Sequence, residues 1–324
     1  MTLSAIILAA GKATRMKSER VKVLHEICGR PMLSYVLDAC RAVGVTRLFV
    51  VVGYDKERVI ETFKADKDII WVVQAEQKGT GHAPLMCKDA FTQQGLLKSS
   101  PAAADSHCFL LCGDGPLIRE HTLRQLLGKH RHDQAALTLA TCELADPTGY
   151  GRIVRAGGVG GGKHGQVLGI VEQKDATPEQ RLIREVNPSY YLFQTAAMFP
   201  LLEQIQPSSK TGEYYVTETV QLGLAEHQTV SALCAVPPED VLSINSRAEL
   251  AQVNHLMQER IQKEIMNSGV TLVSPAQTWI EFGVKIGQDT VLEPFTWVGQ
   301  GAIVGSRLRI KAGTVIPAGT RIES

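Results

Sequence analysis

Several features are absent from this 324-residue sequence, and each absence excludes a class of protein. No run of about 18 uncharged apolar residues occurs, so we expect no transmembrane helix and no membrane partner. The first residues enter an apolar segment without a basic stretch or a small-residue cleavage site, so we expect no secretory signal. Lysine and arginine number 34 against 33 aspartates and glutamates, a balance that argues against a strongly basic, nucleic-acid-binding protein.

Paired cysteines are also missing. The seven cysteines are an odd number, and none forms a Cys-x-x-Cys motif. The spacing fits neither a zinc site nor a disulfide framework. We therefore predict reduced cysteines and a cytoplasmic protein.

The first part of the chain alternates strand-sized apolar runs with amphipathic segments. The predicted strands include residues 4–9, 47–52, 69–74 and 107–112, and the predicted helices include residues 31–43 and 56–64. This alternation predicts an α/β class domain, Rossmann-like, over residues 1–240. Its mixed, mostly parallel sheet is expected to carry helices on both faces.

A glycine-rich tract at residues 157–165 allows two interpretations. It could form a phosphate-binding nest, or it could be a long hairpin loop between strand-like residues 151–155 and 166–172. No helix follows the tract to supply a positive N-terminus, so the hairpin loop is favoured. A second predicted loop, small and polar, covers residues 98–107.

A single helix is predicted to link two domains within residues 241–269. Ser246 and Glu249 have the spacing of a capping box at its start. An apolar stripe follows at Leu250, Val253, Met257, Ile261 and Ile265. Gly269 is expected to end the helix.

Residues 270–324 contain an internal repeat of period six. Its aliphatic positions are Ile280, Ile286, Leu292, Val298, Val304, Ile310, Ile316 and Ile322. This period predicts a short left-handed parallel β-helix of hexapeptide repeats, with about two and a half coils. Because repeat arrays need neighbours to bury their faces, we expect a homotrimer assembled through this domain.

The loop after the first strand has the residues of a phosphate-binding site. It runs Leu8-Ala9-Ala10-Gly11-Lys12-Ala13-Thr14-Arg15-Met16. Small residues let a ligand approach the backbone amides, and Arg15 and Lys22 supply positive charge. The loop is neither Gly-x-Gly-x-x-Gly nor Gly-Lys-Ser/Thr. A tight strand–helix turn is the alternative.

Asp114 follows the most apolar strand, in Leu111-Cys112-Gly113-Asp114-Gly115-Pro116. A carboxylate at the carboxyl end of a central strand lies where open α/β sheets bind ligands, and its oxygens suit Mg²⁺. The alternative is an Asx turn before Pro116.

These two loops resemble the signature of sugar-1-phosphate nucleotidyltransferases. The segments QAEQKGTGHA from Gln74, TGYGRI from Thr148, VEQKDA from Val171 and GEYYVT from Gly212 narrow the resemblance. Together they are similar to the uridylyltransferase half of the bacterial bifunctional UDP-N-acetylglucosamine pyrophosphorylase/glucosamine-1-phosphate acetyltransferase family.

The resemblance implies a role for each matching residue. Arg15 and Lys22 are implied as catalytic cations, and Asp114 and Asn245 as ligands of Mg²⁺. The implied nucleotide-binding residues are Leu8, Ala9, Ala10, Gly11, Gln74, Gln77, Gly79 and Thr80. The implied sugar-side residues are Gly151, Glu172, Asn187, Tyr215 and Thr217. Apart from the resemblance, Asn245 is only the residue before a helix cap.

The implied reaction transfers uridylyl from UTP to N-acetylglucosamine-1-phosphate, with Mg²⁺ and no covalent intermediate. Two alternatives stay open: transfer to another sugar-1-phosphate, including by a thymidylyltransferase, and a non-catalytic scaffold that binds nucleotide sugars. The scaffold is disfavoured because Arg15, Lys22 and Asp114 are all present.

Residues 188–191, Pro-Ser-Tyr-Tyr, depart from the family's frequent small-residue–Gly pair after Asn187, so the preferred sugar also stays open. We expect no acetyltransferase activity, because the repeat ends at Ile322 and no histidine follows His255 to act as a general base.

Overall fold

The computed structural model describes residues 1–12, 14–97, 105–157 and 165–323. Most of the loop predicted at residues 98–107 and of the glycine tract at residues 157–165 lies outside the described residues. The strands before the β-helix are β1 (Thr2–Ala9), β2 (Glu26–Ile27), β3 (Arg30–Pro31), β4 (Arg47–Val52), β5 (Ile69–Val73), β6 (Ser106–Cys112), β7 (Leu137–Glu143), β8 (Gly151–Arg155), β9 (Val167–Val171), β10 (Glu185–Gln194) and β11 (Val230–Cys234). The α-helices span Met32–Ala42, Lys56–Thr62, His82–Leu85, Lys88–Gln93, Glu120–His132, Pro178–Arg181, Thr195–Gln204, Glu218–Ala225 and Arg247–Asn267.

The main sheet has the strand order β11-β7-β10-β6-β1-β4-β5, with β8 joined to β10 and β9 to β8. Strands β5, β4, β1 and β6 are parallel, and β10 runs antiparallel to β6, β7 and β8. The predicted mixed Rossmann-like sheet is confirmed. The chain builds outward from β1 through β4 to β5 and then returns to β6 on the other side. This reversal opens a crevice at the carboxyl ends of β1 and β6, where such sheets bind ligands.

Apolar layers cover both faces of the sheet because successive residues of a strand point to opposite sides. Ile7 of β1 belongs to a buried layer with Leu33 and Val253 from two helices. Ile6 belongs to the opposite layer, with Phe91 and Phe199. Helices therefore pack on both faces, which leaves the strand ends as the open edge. None of the helices in the described part of the chain is long and apolar enough to cross a membrane.

The C-terminal region is a left-handed parallel β-helix, built from two-residue strands in three small sheets. All eight predicted repeat positions are the second residue of their strand. Trp279 pairs with Trp297 and Trp297 with Val315, so one coil takes 18 residues. The strand Thr271–Leu272 also joins the first coil by pairing with Val291–Leu292. The period of six misses it because the turn Pro275–Gln277 shifts the phase.

Candidate functional site: a crevice at the carboxyl ends of the strands

The loops after β1 and β6 lie side by side at the open edge of the sheet. The amide of Gly113 donates to the carbonyl of Leu8 over 2.9 Å. A side chain at Gly113 would place its Cβ only 3.1 Å from that carbonyl oxygen, so the close approach favours glycine. The small residues after β1 and the carboxylate of Asp114 thereby face one crevice.

This crevice holds a cavity of about 300 Å³, here called the first cavity. All eight predicted nucleotide-binding residues line it: Leu8, Ala9, Ala10, Gly11, Gln74, Gln77, Gly79 and Thr80. Lys22, Asp114 and Tyr215 line it as well. The sequence did not single out Cys112, Val23, Ala83 or Glu213, which complete the lining. Ala83, Cys112 and Glu213 lie within the motifs quoted above but had no chemical signal of their own.

Hydrogen bonds fix the two glutamines of the first cavity. The side-chain nitrogen Nε2 of Gln77 donates to the carbonyl of Ala10 over 3.2 Å. Gln74 is almost fully buried, and its Nε2 lies 2.9 Å from Nδ1 of His82. Burial lowers the pKa of His82, which keeps the ring neutral at pH 7 and able to accept this bond. The amide groups are therefore preorganised to recognise a polar, planar ligand.

The segment that carries both glutamines is tied to the segment around Tyr214. The amide of Tyr214 donates to the carbonyl of Lys78, and the amide of Gly81 donates to the carbonyl of Tyr214, each over 2.8 Å. Gly79 has a φ of 104°, and a Cβ there would lie 2.6 Å from the Tyr214 carbonyl oxygen. Only glycine tolerates both conditions, so the motif Lys78-Gly79-Thr80-Gly81 sets one wall of the cavity.

Four predicted charged or metal-binding residues meet at the mouth of the first cavity. The ammonium Nζ of Lys22 contacts the carboxylate of Asp114 and lies 2.8 Å from Oδ1 of Asn245. Arg15 donates from Nη2 to the same Asn245 oxygen over 3.0 Å. Asn245 lies in the segment that enters the long helix, where the amide of Ile244 donates to the Asp114 carbonyl over 3.0 Å. Two cations and two oxygen ligands, far apart in the chain, thus form one cluster.

The predicted capping box at the start of the long helix is only half present. The hydroxyl of Ser246 accepts from the Glu249 amide over 3.3 Å, as predicted. The Glu249 carboxylate, however, accepts from the amide of Asn245 and not from that of Ser246. The Ser246 hydroxyl also donates to the Glu249 carboxylate over 3.0 Å, so this carboxylate binds the amide before the cap and the side chain of the cap itself.

Three predicted sugar-side residues lie on adjacent strands. Gly151 of β8 is the register partner of Asn187 on β10, and Glu172 directly follows β9. A Cβ at Gly151 would lie 3.7 Å from both Glu172 carboxylate oxygens and only 2.9 Å from Ile170. Glycine therefore leaves room beside the carboxylate. Asn187 is buried, with an exposed fraction of 6%, and it lies behind the surface of the site.

A second cavity of about 370 Å³ adjoins these residues and is lined by Glu172, Tyr215 and Thr217. Tyr215 lines both cavities, so they are neighbours. The hydroxyl of Thr217 donates to Oε1 of Glu172 over 3.1 Å. Burial raises the pKa of Glu172, and the bond from Thr217 opposes that shift. Neither Gly151 nor Asn187 is among the residues that line this cavity.

The cavities offer no activated thiol. Cys112 is the cysteine of the first cavity's lining, and burial raises its pKa to about 12. Such a thiol stays protonated at neutral pH and is a poor nucleophile. Within the described residues, no group of three or more histidine, cysteine, aspartate or glutamate side chains is arranged to hold a metal ion. A metal at this site would therefore depend on oxygen ligands from substrate and water as well.

A profile of the MobA-like NTP transferase domain matches residues 5–213. The chain belongs to this family. The match contains most of β1 with its loop, both glutamines, Asp114 and the sugar-side strands. It ends before Tyr215, Thr217 and Asn245.

Curated relatives extend the similarity into the β-helix. The chain is 43% identical to the bifunctional protein GlmU of Pelotomaculum thermopropionicum, over 91% of this chain and 61% of that protein. It is 39% identical to the bifunctional protein GlmU of Pelobacter propionicus, over 97% of this chain and 68% of that protein. The chain thus spans 61% and 68% of the length of these two relatives.

A solved structure shares the fold. It is assigned as a glucose-1-phosphate thymidylyltransferase from Bacillus anthracis, in complex with a sucrose. The TM-score is 0.61 at 14% identity, over 79% of this chain and 95% of that one. At this identity the likeness supports the fold alone.

Proposed function

We propose that this chain transfers the uridylyl group of UTP to N-acetylglucosamine-1-phosphate, giving UDP-N-acetylglucosamine and pyrophosphate. The observation that carries the proposal is the adjacency of the two cavities, which share Tyr215. The first has glutamine amides and small-residue backbone for a nucleotide, together with the cation of Lys22. The second has Glu172 and Thr217, whose oxygens suit sugar hydroxyl groups.

The proposed chemistry needs positioning and charge neutralisation, and no protein nucleophile. An oxygen of the sugar phosphate forms a bond to the α-phosphorus of UTP. The bond from that phosphorus to the oxygen bridging the α- and β-phosphates breaks, and pyrophosphate leaves with the electron pair. Arg15 and Lys22 would stabilise the negative charge on the phosphates. Gln74 and Gln77 would hold the uracil end, so that the reacting groups are aligned.

Nucleotidyltransferases of this family generally depend on a divalent cation. We propose that it is Mg²⁺, held by Asp114 and Asn245. The side-chain oxygens of both residues converge on a single cationic group, the Lys22 ammonium, so they are placed to share a cation. A carboxylate and an amide oxygen, completed by phosphate and water, form the oxygen set that Mg²⁺ prefers. The ion would supply charge stabilisation at the phosphates.

The decisive experiment measures pyrophosphate release from UTP with Mg²⁺ and a panel of sugar-1-phosphates. We expect N-acetylglucosamine-1-phosphate to give the highest kcat/KM. Faster turnover of glucose-1-phosphate, or of TTP in place of UTP, would favour another nucleotidyltransferase activity. Failure of every pair would favour the non-catalytic scaffold.

The curated relatives are named bifunctional, but we propose only the uridylyl transfer for the residues present here. Amine acylation needs a positioned general base, usually histidine, and no histidine follows His255 in this sequence. An assay with acetyl-CoA and glucosamine-1-phosphate is expected to give no enzyme-dependent release of CoA. Release above background would overturn this part of the proposal.

We also propose that the protein is cytoplasmic and assembles as a homotrimer through the β-helix. None of the seven cysteines, all of which lie in the described part of the chain, forms a disulfide, which suits a reducing compartment. One face of the β-helix carries Trp279, Trp297 and Val315 in register. Trp297 and Val315 have exposed fractions of 42% and 67%, so the face is apolar and open to a neighbouring copy.

A further inference from the structure

Strand β10 carries two adjacent tyrosines to which the proposed function gives no role. They end the Pro-Ser-Tyr-Tyr segment that departs from the family pattern after Asn187. The pairing of β10 with β7 shifts register between Val186 and Tyr190, and Ser189 in this bulge has a φ of 65°. Beyond the bulge the two tyrosines point to opposite faces of the sheet, where Tyr190 and Tyr191 belong to different apolar layers.

Tyr191 holds the side chain of Asn187. The amide nitrogen Nδ2 of Asn187 donates to the Tyr191 hydroxyl over 2.6 Å, and its oxygen Oδ1 accepts from the amide of Ser189 over 3.0 Å. One bond engages each end of the carboxamide, so its orientation is fixed. Beyond these two bonds, the carboxamide of Asn187 has one further N–H and one further lone pair with which it could bind a ligand.

The pairing of β10 with β8 brings Asn187 to the sugar side of the site. Asn187 is paired in register with Gly151, whose missing side chain leaves room beside Glu172. Tyr191 has an exposed fraction of 1%, so it lies beneath Asn187 and touches no substrate. Burial, with the nearby Glu172 charge acting in the same direction, raises the pKa of Tyr191. The hydroxyl therefore stays protonated at neutral pH.

We propose that Tyr191 is a positioning residue for the sugar phosphate, which fixes the Asn187 carboxamide in the orientation that recognises the sugar. This inference rests on the proposed function and on the sugar-side role that the family resemblance implies for Asn187. It predicts that loss of the Tyr191 hydroxyl weakens the binding of the sugar phosphate and leaves the binding of UTP unchanged.

Tyr190 provides a matched control. It is also buried on β10, but its hydroxyl donates to the carbonyl of Asp240 over 3.1 Å on the other face of the sheet. Tyr190→Phe therefore removes the same group from the same strand without touching Asn187. Both changes keep the ring and its packing, and thermal unfolding of each variant shows whether a loss of activity is a loss of folded protein.

The test measures KM for each substrate in wild type, Y191F and Y190F. We expect Y191F to raise KM for N-acetylglucosamine-1-phosphate about fivefold, the factor for one neutral hydrogen bond. KM for UTP should stay within about twofold in Y191F, as should KM for the sugar phosphate in Y190F. Since Tyr191 acts through Asn187, adding Y191F to Asn187→Ala should raise that KM no further.

Three results would overturn the inference: an unchanged sugar-phosphate KM in Y191F, an equal rise in both KM values, or an additive effect in the double variant. Absence of turnover by the wild type with any sugar-1-phosphate would instead overturn the proposed function, and this inference with it. If the wild type is active and Y191F has the same KM for the sugar phosphate, only the positioning role of Tyr191 is wrong. The proposed function then stands.

Discussion

The backbone amide of Asn245 donates to the carboxylate of Glu249 over 2.7 Å. The same carboxylate oxygen accepts from the hydroxyl of Ser246 over 3.0 Å. The first turn of the long helix therefore fixes the backbone of the residue whose side-chain oxygen faces Lys22 and Arg15. The helix links the two parts of the chain, and its start also positions one proposed metal ligand.

Glu249→Ala should weaken the response to Mg²⁺, because the carboxylate orients a proposed ligand and does not bind the ion itself. The Mg²⁺ concentration for half-maximal activity is expected to rise about tenfold, as for other residues that orient metal ligands. Glu249→Gln, which keeps an acceptor oxygen, should restore most of the response. Glu259→Ala, at an exposed position of the same helix, is the control. An unchanged Mg²⁺ titration in Glu249→Ala would contradict the positioning role.

Asp114→Ala should remove most uridylyl transfer and leave the fold intact. The change deletes a proposed ligand and also leaves the Lys22 ammonium with fewer partners. A loss of at least about 100-fold in kcat is expected, since a catalytic metal contributes several kcal/mol of charge stabilisation. Pyrophosphate release and circular dichroism measure the two effects. Activity within about threefold of wild type, roughly 0.7 kcal/mol on the rate scale, would count against the assignment.

Stability should fall in acid because of a histidine pair beside the amino end of β6, in which His130 is buried and His107 is half-buried. Nδ1 of His107 lies 3.1 Å from Nε2 of His130, whose Nδ1 lies 2.8 Å from the hydroxyl of Thr138. Burial, and to a lesser extent the neighbouring His107, lowers the pKa of His130 from 6.5 to about 4. Between these two pKa values, His130 is protonated in the unfolded chain but not in the native state. The free energy of unfolding therefore decreases as pH falls from 6.5 towards 4.

His130→Gln should reduce this acid-dependent loss, by up to about 3 kcal/mol between neutral pH and pH 4. Urea unfolding at a series of pH values measures the difference between wild type and variant. His255→Gln is the matched control because His255 is exposed on the long helix, with a side-chain exposure of 71%. If the free energy of unfolding has the same pH dependence in wild type and His130→Gln, the pair of His107 and His130 does not cause the loss of stability in acid.

The assembly prediction concerns the apolar face of the β-helix. Light scattering should give a mass near three times the 35.3 kDa of the chain. Val315→Glu should dissociate the trimer, because it places a charge in the middle of a desolvated contact. Lys285→Glu changes the corresponding outer position on another face, where Lys285 pairs with Ile303, and should leave the mass unchanged. A wild-type monomer at micromolar concentration would refute the prediction.

Much of the fold could be predicted because its signals are local. The period of six places Ile280, Leu292 and each of the other repeat positions in the buried half of a strand, since every coil repeats the same short-range geometry. The strand Arg47–Val52 was predicted to the residue for a similar reason, because an apolar run between polar turns has one stable placement in a parallel sheet. The residues after β1 and β6 could be placed in one site for the same reason, because parallel strands bring their carboxyl ends to one edge of the sheet.

Tertiary structure alone decided which distant groups meet. Asn245 is 223 positions from Lys22, and only the packing of the long helix against the sheet brings their side chains within 2.8 Å. The family resemblance implies that Asn245 is a metal ligand, but no local sequence pattern predicts this role. The bond from Asn187 to Tyr191 depends in the same way on a bulge in β10 that no periodicity announces. Sequence periodicity specifies which face of an element is buried, whereas contacts between elements depend on strand order, register and helix packing, which the whole chain determines together.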